Sequence, residues 1–303
     1  MENISKLSYP CVVTIGMYDG VHIGHQKMLK ELIQIAQKTN TKSCVITFAN
    51  HPRTVLDKKN DAPIKLLQTN AERFTKIAQF GIDYLIPITF TQEFAKLSPT
   101  QFLDILKSKI DIKLLLLGYD NTFGNPNNNE YNDLLRFGCY QEIKIQKEVS
   151  GIYYQDIEIS STQIRKSLLE GNIINANAML GSTYNITSKV IKGFQNGRKI
   201  GFPTANISLP LDKVIPKQGV YATNTIINAI RYKSVTNIGN NPTLNATNTT
   251  IETYIIDFNR DIYDKIITIE FLDFIRDEKK FDNLNDLSLQ IQDDVLHAKN
   301  IMC

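Results

Sequence analysis

The residues from Val12 to His25 constrain the fold of this chain more than any other stretch. They open with an apolar, β-branched run that is typical of a buried strand, and Gly16 and Gly20 then break it. Apolar residues return at helical spacing from Ile23 to Ala36, which indicates a helix. The stretch therefore predicts a strand, a tight glycine-rich turn and a helix.

Two histidines, His22 and His25, stand where this helix begins. Helix N-termini present unpaired backbone N–H groups and a partial positive charge, so they suit phosphate. Residues three apart share a helix face, so both imidazoles could donate to phosphate oxygens. No GxxxxGK[ST] follows the strand, which excludes a P-loop, and the pattern is the HxGH signature of nucleotidyltransferases. The other candidate ATP-binding residues of this turn are Gly16, Tyr18, Asp19, Gly20 and Gly24.

The remainder of the first half alternates strands and helices. Strands are predicted at 43–48, 84–87 and 112–117, and helices at 70–80 and 99–109 with Asn70 and Ser98 as caps. This rhythm implies an α/β fold with a doubly wound, mostly parallel sheet, in which ligands bind at the carboxyl ends of strands. The loops that begin at His51 and Gly118 follow such strands, so both could meet the histidine turn in one crevice.

A third candidate segment is Ser160-Ser161-Thr162, which opens a helix to about Glu170. Its backbone N–H groups and hydroxyls could bind phosphate, and Arg165 could add a forked cationic contact one turn later.

The pattern changes after Gly181, so the predicted domains are residues 1–183 and 184–303. Short β-rich runs follow at 184–191, 220–226, 231–238, 251–256 and 266–272, with a turn at 240–242 among those that divide them. They indicate an antiparallel barrel or sandwich, closed by a helix from about 284 to 299.

Within the second half, residues 193–206 combine glycines, two cations and the run Pro203-Thr204-Ala205-Asn206. Thr204 and Asn206 share a face of an extended segment, and their oxygens suit Mg²⁺ bound with nucleotide phosphate. Glu252 interrupts an otherwise apolar strand. The candidate flap over bound phosphates contains Gly193, Gly197, Arg198, Gly201 and Pro203.

The composition is that of an ordinary globular protein. The net charge of +3 argues against nucleic acid as the main partner. No run is long enough to span a membrane and no secretory signal is visible, so a cytoplasmic protein without a membrane partner is expected. The four cysteines lack C-x-x-C spacing, which favours packed thiols over a metal cluster. The sequence leaves the oligomeric state open.

Together these motifs resemble the bifunctional prokaryotic riboflavin kinase/FMN adenylyltransferase family, also called FAD synthetases. The first domain matches G-x-F-D-G-x-H-x-G-H, the H-P loop, G-x-D/N-F-x-F-G and S-S-T-x-x-R, with Tyr18 in place of the usual Phe. The second matches G-R-x-x-G-F-P-T-A-N, G-V-Y, N-x-G-x-x-P-T and an acidic strand position at Glu252. Further departures at Met17, Asn50, Tyr119 and Asn121 all fall in the first domain.

The resemblance implies that the second domain, a riboflavin kinase barrel, phosphorylates riboflavin to FMN with ATP and Mg²⁺. The first domain would join FMN to the AMP part of ATP, which gives FAD and pyrophosphate. Glu252 would be the kinase base, while His22, His25 and Arg165 would serve adenylylation. The flavin would lie against His51, Pro52, Asp120 and Phe123. Two alternatives remain: only one domain is catalytic and the other binds flavin, or the chain is a fragment of a class I aminoacyl-tRNA synthetase.

Overall fold

A computed structural model describes residues 5–56, 64–118, 135, 138, 142–147, 150–193, 197, 200–243 and 246–301, with backbone alone at 241–243 and 246–248. The chain divides into two compact units, Met1–Ser161 and Thr162–Cys303. This division assigns the helices after 161 to the second unit, whereas the sequence predicts a boundary after 183. The predicted boundary stays a prediction.

The first unit contains a parallel sheet with the strand order β3-β2-β1-β4-β5. The strands are β1 Cys11–Gly16, β2 Lys42–Phe48, β3 Tyr84–Ile88, β4 Ile112–Leu117 and β5 Lys144–Lys147. The chain winds outward from β1 in one direction and then in the other, so β1 and β4 flank the switch point where such sheets bind ligands. This confirms the predicted doubly wound fold, and the histidine turn follows β1 directly.

Helices cover both faces of this sheet. They are α1 Ile23–Lys38, α2 Arg53–Leu56, α3 Asn70–Ala78 and α4 Pro99–Lys107. Alternate residues of β1 face opposite sides: Val13 packs in the cluster that holds Leu103 of α4, and Val12 in the cluster that holds Leu29 of α1. Both faces are therefore apolar, as expected of a buried parallel sheet.

The cap of α3 differs from the sequence prediction. Thr69, rather than Asn70, caps the helix: its hydroxyl accepts from the Glu72 N–H, and the Glu72 carboxylate accepts from the Thr69 N–H. The Asn70 side chain instead donates to the Ala49 carbonyl oxygen at 2.7 Å. Ser98 caps α4, as predicted.

A short hairpin, β6 Tyr153–Tyr154 and β7 Ile157–Glu158, precedes α5 Ser161–Leu169 and α6 Ile173–Leu180. Gly181 ends α6 with φ 61°, the left-handed conformation common at helix C-termini.

The second unit contains a closed barrel with the order β10-β11-β12-β9-β8-β13, which confirms the predicted antiparallel barrel. Its strands are β8 Asn185–Ile191, β9 Thr204–Ile207, β10 Gly219–Ile227, β11 Ile230–Thr243, β12 Ala246–Ile255 and β13 Ile266–Arg276. The predicted turn at 240–242 is wrong, because these residues continue β11 and pair with 247–249 of β12.

The closing helix, α7 Leu284–Ile301, packs Ala298 against Val220, Ala222 and Val235 of the barrel. A bidentate pair joins Arg276 to the buried Asp294, with nitrogen–oxygen distances of 2.9 and 2.7 Å. Among the helices of the described residues, none has the length and apolarity needed to cross a membrane.

Candidate active sites

The turn after β1 has an unusual backbone. Tyr18 and Val21 adopt positive φ angles of 53° and 42°, and Gly20 lies at 83°. Left-handed conformations are uncommon for non-glycine residues and especially for β-branched ones. Such strain persists only where surrounding contacts hold it, and it is concentrated at functional sites.

Buried polar groups hold this turn from the side of α3. Arg73, which is 0% exposed, donates from Nη1 to the Met17 carbonyl oxygen at 2.7 Å. The Asp19 carboxylate accepts from the Leu67 N–H at 3.0 and 3.1 Å, and Lys76 Nζ donates to the Gly20 carbonyl oxygen at 3.3 Å.

Burial lowers the pKa values of the two cations on α3. It lowers the pKa of Lys76 to about 8 and that of Arg73 to about 10, where the charge of Asp19 opposes the shift. No motif in the sequence identifies these cations, because they lie more than 50 residues beyond the turn.

The two histidines stack on each other. Their ring centroids are 3.6 Å apart with planes inclined by 20°, and the Tyr18 ring lies 5.0 Å from that of His25. His22 caps α1, and its Nδ1 accepts from the His25 N–H at 3.4 Å, which leaves Nε2–H as its donor. The Nδ1 atom of His25 is buried without a hydrogen-bond partner among the described residues.

Both imidazoles are neutral at neutral pH. Burial, aided by Lys76, lowers the pKa of His22 to about 4. Burial also lowers the pKa of His25 well below its ordinary value, and His22, Lys76 and Arg73 add to this. The pair therefore presents N–H donors rather than fixed cations to a bound phosphate.

Glycines make room for the aromatic rings of this turn. A Cβ at Gly24 would lie 3.1 Å from the His22 imidazole, and one at Gly16 would lie 3.1 Å from the Tyr18 ring. Tyr18 is buried, and its hydroxyl shares a hydrogen bond of 2.6 Å with Thr14 Oγ1. The hydroxyl that distinguishes this chain from the usual phenylalanine therefore has a partner.

The start of α5 reaches the same turn. Ser161 Oγ donates to the Asp19 carbonyl oxygen at 2.9 Å, which brings the predicted Ser160–Ser161 segment beside the residues before His22. Thr162 and Arg165 lie in the second compact unit. Their placement in the adenylylation site therefore stays a prediction.

The predicted flavin-binding residues are only partly described. His51 and Pro52 follow the carboxyl end of β2, and His51 Nδ1 accepts from the Arg53 N–H at 3.2 Å. Asp120 and Phe123 lie outside the described residues, as do the departures at Tyr119 and Asn121.

The second candidate site lies on the outer face of the barrel. Asn206 of β9 pairs directly with Glu252 of β12, and Thr204 is two residues from Asn206 on the same face. Thr204 Oγ1 donates to Glu252 Oε2 at 3.1 Å. The strand register thus brings together three residues that are up to 48 positions apart in the chain.

The predicted flap lies close to this face. A Cβ at Gly193 would lie 2.3 Å from the Asn206 amide nitrogen, and one at Gly197 would lie 2.2 Å from the Phe202 carbonyl oxygen. Gly201, with φ 85°, precedes Phe202 and Pro203 in the approach to β9. Arg198 lies outside the described residues.

The oxygen set of the barrel face fits Mg²⁺. A hydroxyl, an amide and one carboxylate are hard ligands, and Gly193 leaves the Asn206 side chain the space that a Cβ would occupy. Within the described part of the chain, no group of three or more His, Cys, Asp or Glu could hold a metal by itself.

Comparison with known protein families decides the assignment. The FAD synthetase family matches residues 4–163, and the riboflavin kinase family matches residues 180–302. The chain belongs to the bifunctional riboflavin kinase/FMN adenylyltransferase family. A relative of that name from Listeria monocytogenes is 34% identical over 93% of this chain and 90% of its own length. Another, from Buchnera aphidicola of Acyrthosiphon pisum, is 35% identical over 98% of this chain and 95% of its own length.

A solved structure is also similar throughout. It is described as a macrolide-efflux protein from Streptococcus pneumoniae, with a TM-score of 0.90 and 30% identity over 99% of this chain and 96% of its own. That description differs from the two families matched above, so the likeness supports the fold alone. Membership of the bifunctional family excludes the hypothesis of an aminoacyl-tRNA synthetase fragment.

Proposed function

We propose that this bifunctional riboflavin kinase and FMN adenylyltransferase carries out its two reactions at the two sites described above. Riboflavin is phosphorylated by ATP on the face formed by Thr204, Asn206 and Glu252. FMN is adenylylated by a second ATP at the turn that carries His22 and His25. The contact that carries the kinase assignment is the Thr204–Glu252 hydrogen bond of 3.1 Å.

In the kinase reaction, a ribityl hydroxyl attacks the γ-phosphorus of ATP and ADP leaves. A hydroxyl is a poor nucleophile at neutral pH, so a positioned base assists. Glu252 takes the hydroxyl proton on one carboxylate oxygen, while the Thr204 hydroxyl donates to the other. Gly193, Gly197 and Gly201 allow the flap backbone to approach the phosphates.

Magnesium would be held by Thr204 and Asn206 together with the ATP phosphates, whose charge it would screen. The Gly193 backbone lies close to Asn206, so a side chain at residue 193 would displace that amide.

In the adenylylation reaction, a phosphate oxygen of FMN attacks the α-phosphorus of ATP and pyrophosphate leaves. Because the second pKa of a phosphate monoester is about 6, the attacking group is already ionised and needs no base. The neutral imidazoles of His22 and His25 donate N–H groups to the phosphates, and Ser161, Thr162 and Arg165 add further donors. Catalysis is then alignment and electrostatic stabilisation.

Incubation with riboflavin, ATP and Mg²⁺, followed by separation of the flavins, tests this assignment. We expect FMN to appear first and FAD to follow, with both lost when a chelator removes Mg²⁺. Accumulation of FMN without FAD would favour the alternative in which only the kinase domain is catalytic. The cytoplasmic location and the absence of nucleic-acid or membrane partners stay predictions. The oligomeric state stays open.

A further inference from the structure

Arg73 is a buried cation that neither reaction uses. It is 0% exposed and makes three hydrogen bonds, while its Nε atom is buried without a partner. No carboxylate contacts its guanidinium within the described part of the chain. A buried charge without a contacting counter-ion is poor for stability compared with an apolar side chain of similar volume. The hydrogen bonds of its guanidinium, rather than its charge, therefore point to its role.

The contacts of Arg73 join two strand ends. Nη1 donates to the Met17 carbonyl oxygen at 2.7 Å, one residue before the strained Tyr18, and Nη2 donates to the Phe48 carbonyl oxygen at 2.6 Å, where β2 ends. Nη2 also donates to Asn70 Oδ1 at 2.8 Å, and the Asn70 amide donates to the Ala49 carbonyl oxygen at 2.7 Å. One side of this network holds the nucleotide turn, and the other holds the segment that leads to His51 and Pro52.

We propose that Arg73, with Asn70, is a positioning residue for adenylylation that fixes the ATP turn and the candidate flavin segment relative to each other. This inference rests on the proposed function of the histidine turn. Only a planar fork with several donors can bond carbonyl groups of two strands at once, so the geometry of the guanidinium matters as well as its charge. Displacement of a reacting group by about 1 Å costs on the order of 100-fold in rate.

The test compares three variants in the full-length chain, with riboflavin phosphorylation by the same protein as the internal control. R73M removes the bonds to both sides and should lower the kcat of FAD formation on the order of 100-fold. N70A removes the bond to Ala49 and the Asn70 oxygen that accepts from Arg73, and it should mainly raise the KM for FMN, by roughly 10-fold. Thr47 Oγ1 also donates to the Met17 carbonyl oxygen, at 3.2 Å, so T47V should mainly raise the KM for ATP.

R73K serves as the conservative variant and should restore part of the lost kcat, because an ammonium can still bond one of the two strand carbonyls. FAD formation by R73M with wild-type kcat and KM values would overturn the inference. If N70A and T47V each raised the KM for FMN and the KM for ATP equally, the inference would also be overturned, because such rises would indicate that the whole site had become less ordered. If R73M does not fold, N70A and T47V still decide the question. Loss of FAD formation by the wild-type chain would instead refute the proposed function.

Discussion

The histidine turn and the barrel face, the two proposed ATP sites, differ in burial and in the chemistry of their polar groups. The turn is buried at the switch point of a parallel sheet, with a strained backbone, neutral imidazoles and cations whose pKa values are lowered by burial. The barrel face is half-buried and regular, and its proposed base is a carboxylate that accepts a hydrogen bond from one hydroxyl.

The two proposed nucleophiles account for this difference. An FMN phosphate arrives ionised, so its site needs only donors in fixed positions. A ribityl hydroxyl arrives protonated, so its site needs a base that water and substrate can reach. The comparison suggests that rigidity matters most at the first site and proton transfer at the second.

The largest effect is expected from E252Q. This change keeps the shape of the side chain and removes its ability to accept a proton, so FMN formation should fall by about 10²–10⁴-fold. FAD formation from supplied FMN should stay within about twofold of wild type, as expected if the two sites work independently. E170Q, at an exposed position of the second unit, is the matched control. Kinase activity retained in E252Q would remove Glu252 from the mechanism.

A smaller effect is expected from G193A. The new Cβ would lie 2.3 Å from the Asn206 amide nitrogen, so this ligand must move and the Mg²⁺ concentration for half-maximal kinase activity should rise. This concentration should rise roughly 10-fold, the effect of losing about one hydrogen bond to a charged group. In an N206A background, G193A should lower kinase activity little further, because the Asn206 amide that the new Cβ would displace is already absent. Additive losses would place Gly193 outside this contact.

At the first site, G24A should have a milder effect on FAD formation. Its Cβ would lie 3.1 Å from the His22 imidazole, a contact that a small ring shift relieves. We expect a several-fold lower kcat with unchanged kinase activity in the same preparation. A change in kinase activity instead would contradict the division of the two reactions.

The smallest effect concerns stability in acid. The pKa of His22 is about 4 in the folded chain and about 6.5 when exposed, so the unfolded state binds the proton more readily. The stabilisation is complete above pH 6.5 and is lost as the pH falls towards 4, at up to about 1.4 kcal/mol per pH unit. Denaturant unfolding between these pH values should show a free energy of unfolding that depends less steeply on pH for H22N than for the wild-type chain. Equal slopes for H22N and wild type would contradict the burial of His22.

The alternating elements and both glycine-rich segments could be predicted from the sequence, since they depend on periodicity and local turn chemistry. The cap of α3 was missed because Asn70 and Thr69 both suit that position, and the choice depends on the distant Ala49 carbonyl. The length of β11 was missed because its Asn- and Pro-rich end has the composition of a turn.

The pairing of Asn206 with Glu252 depends on strand register, which hydrophobic pattern specifies weakly where both faces carry polar residues. Arg73 gave no signal either, because its role arises from carbonyl groups that only the fold brings together. In both cases the missing information is long-range.

The most direct test of the two-site account is a flavin-product assay on H25A and E252A side by side, with riboflavin, ATP and Mg²⁺. H25A should accumulate FMN and form no FAD, whereas E252A should form no FMN but convert supplied FMN to FAD. If either variant, while folded, lost both activities, or if both variants kept both, the assignment of one reaction to each site would be contradicted.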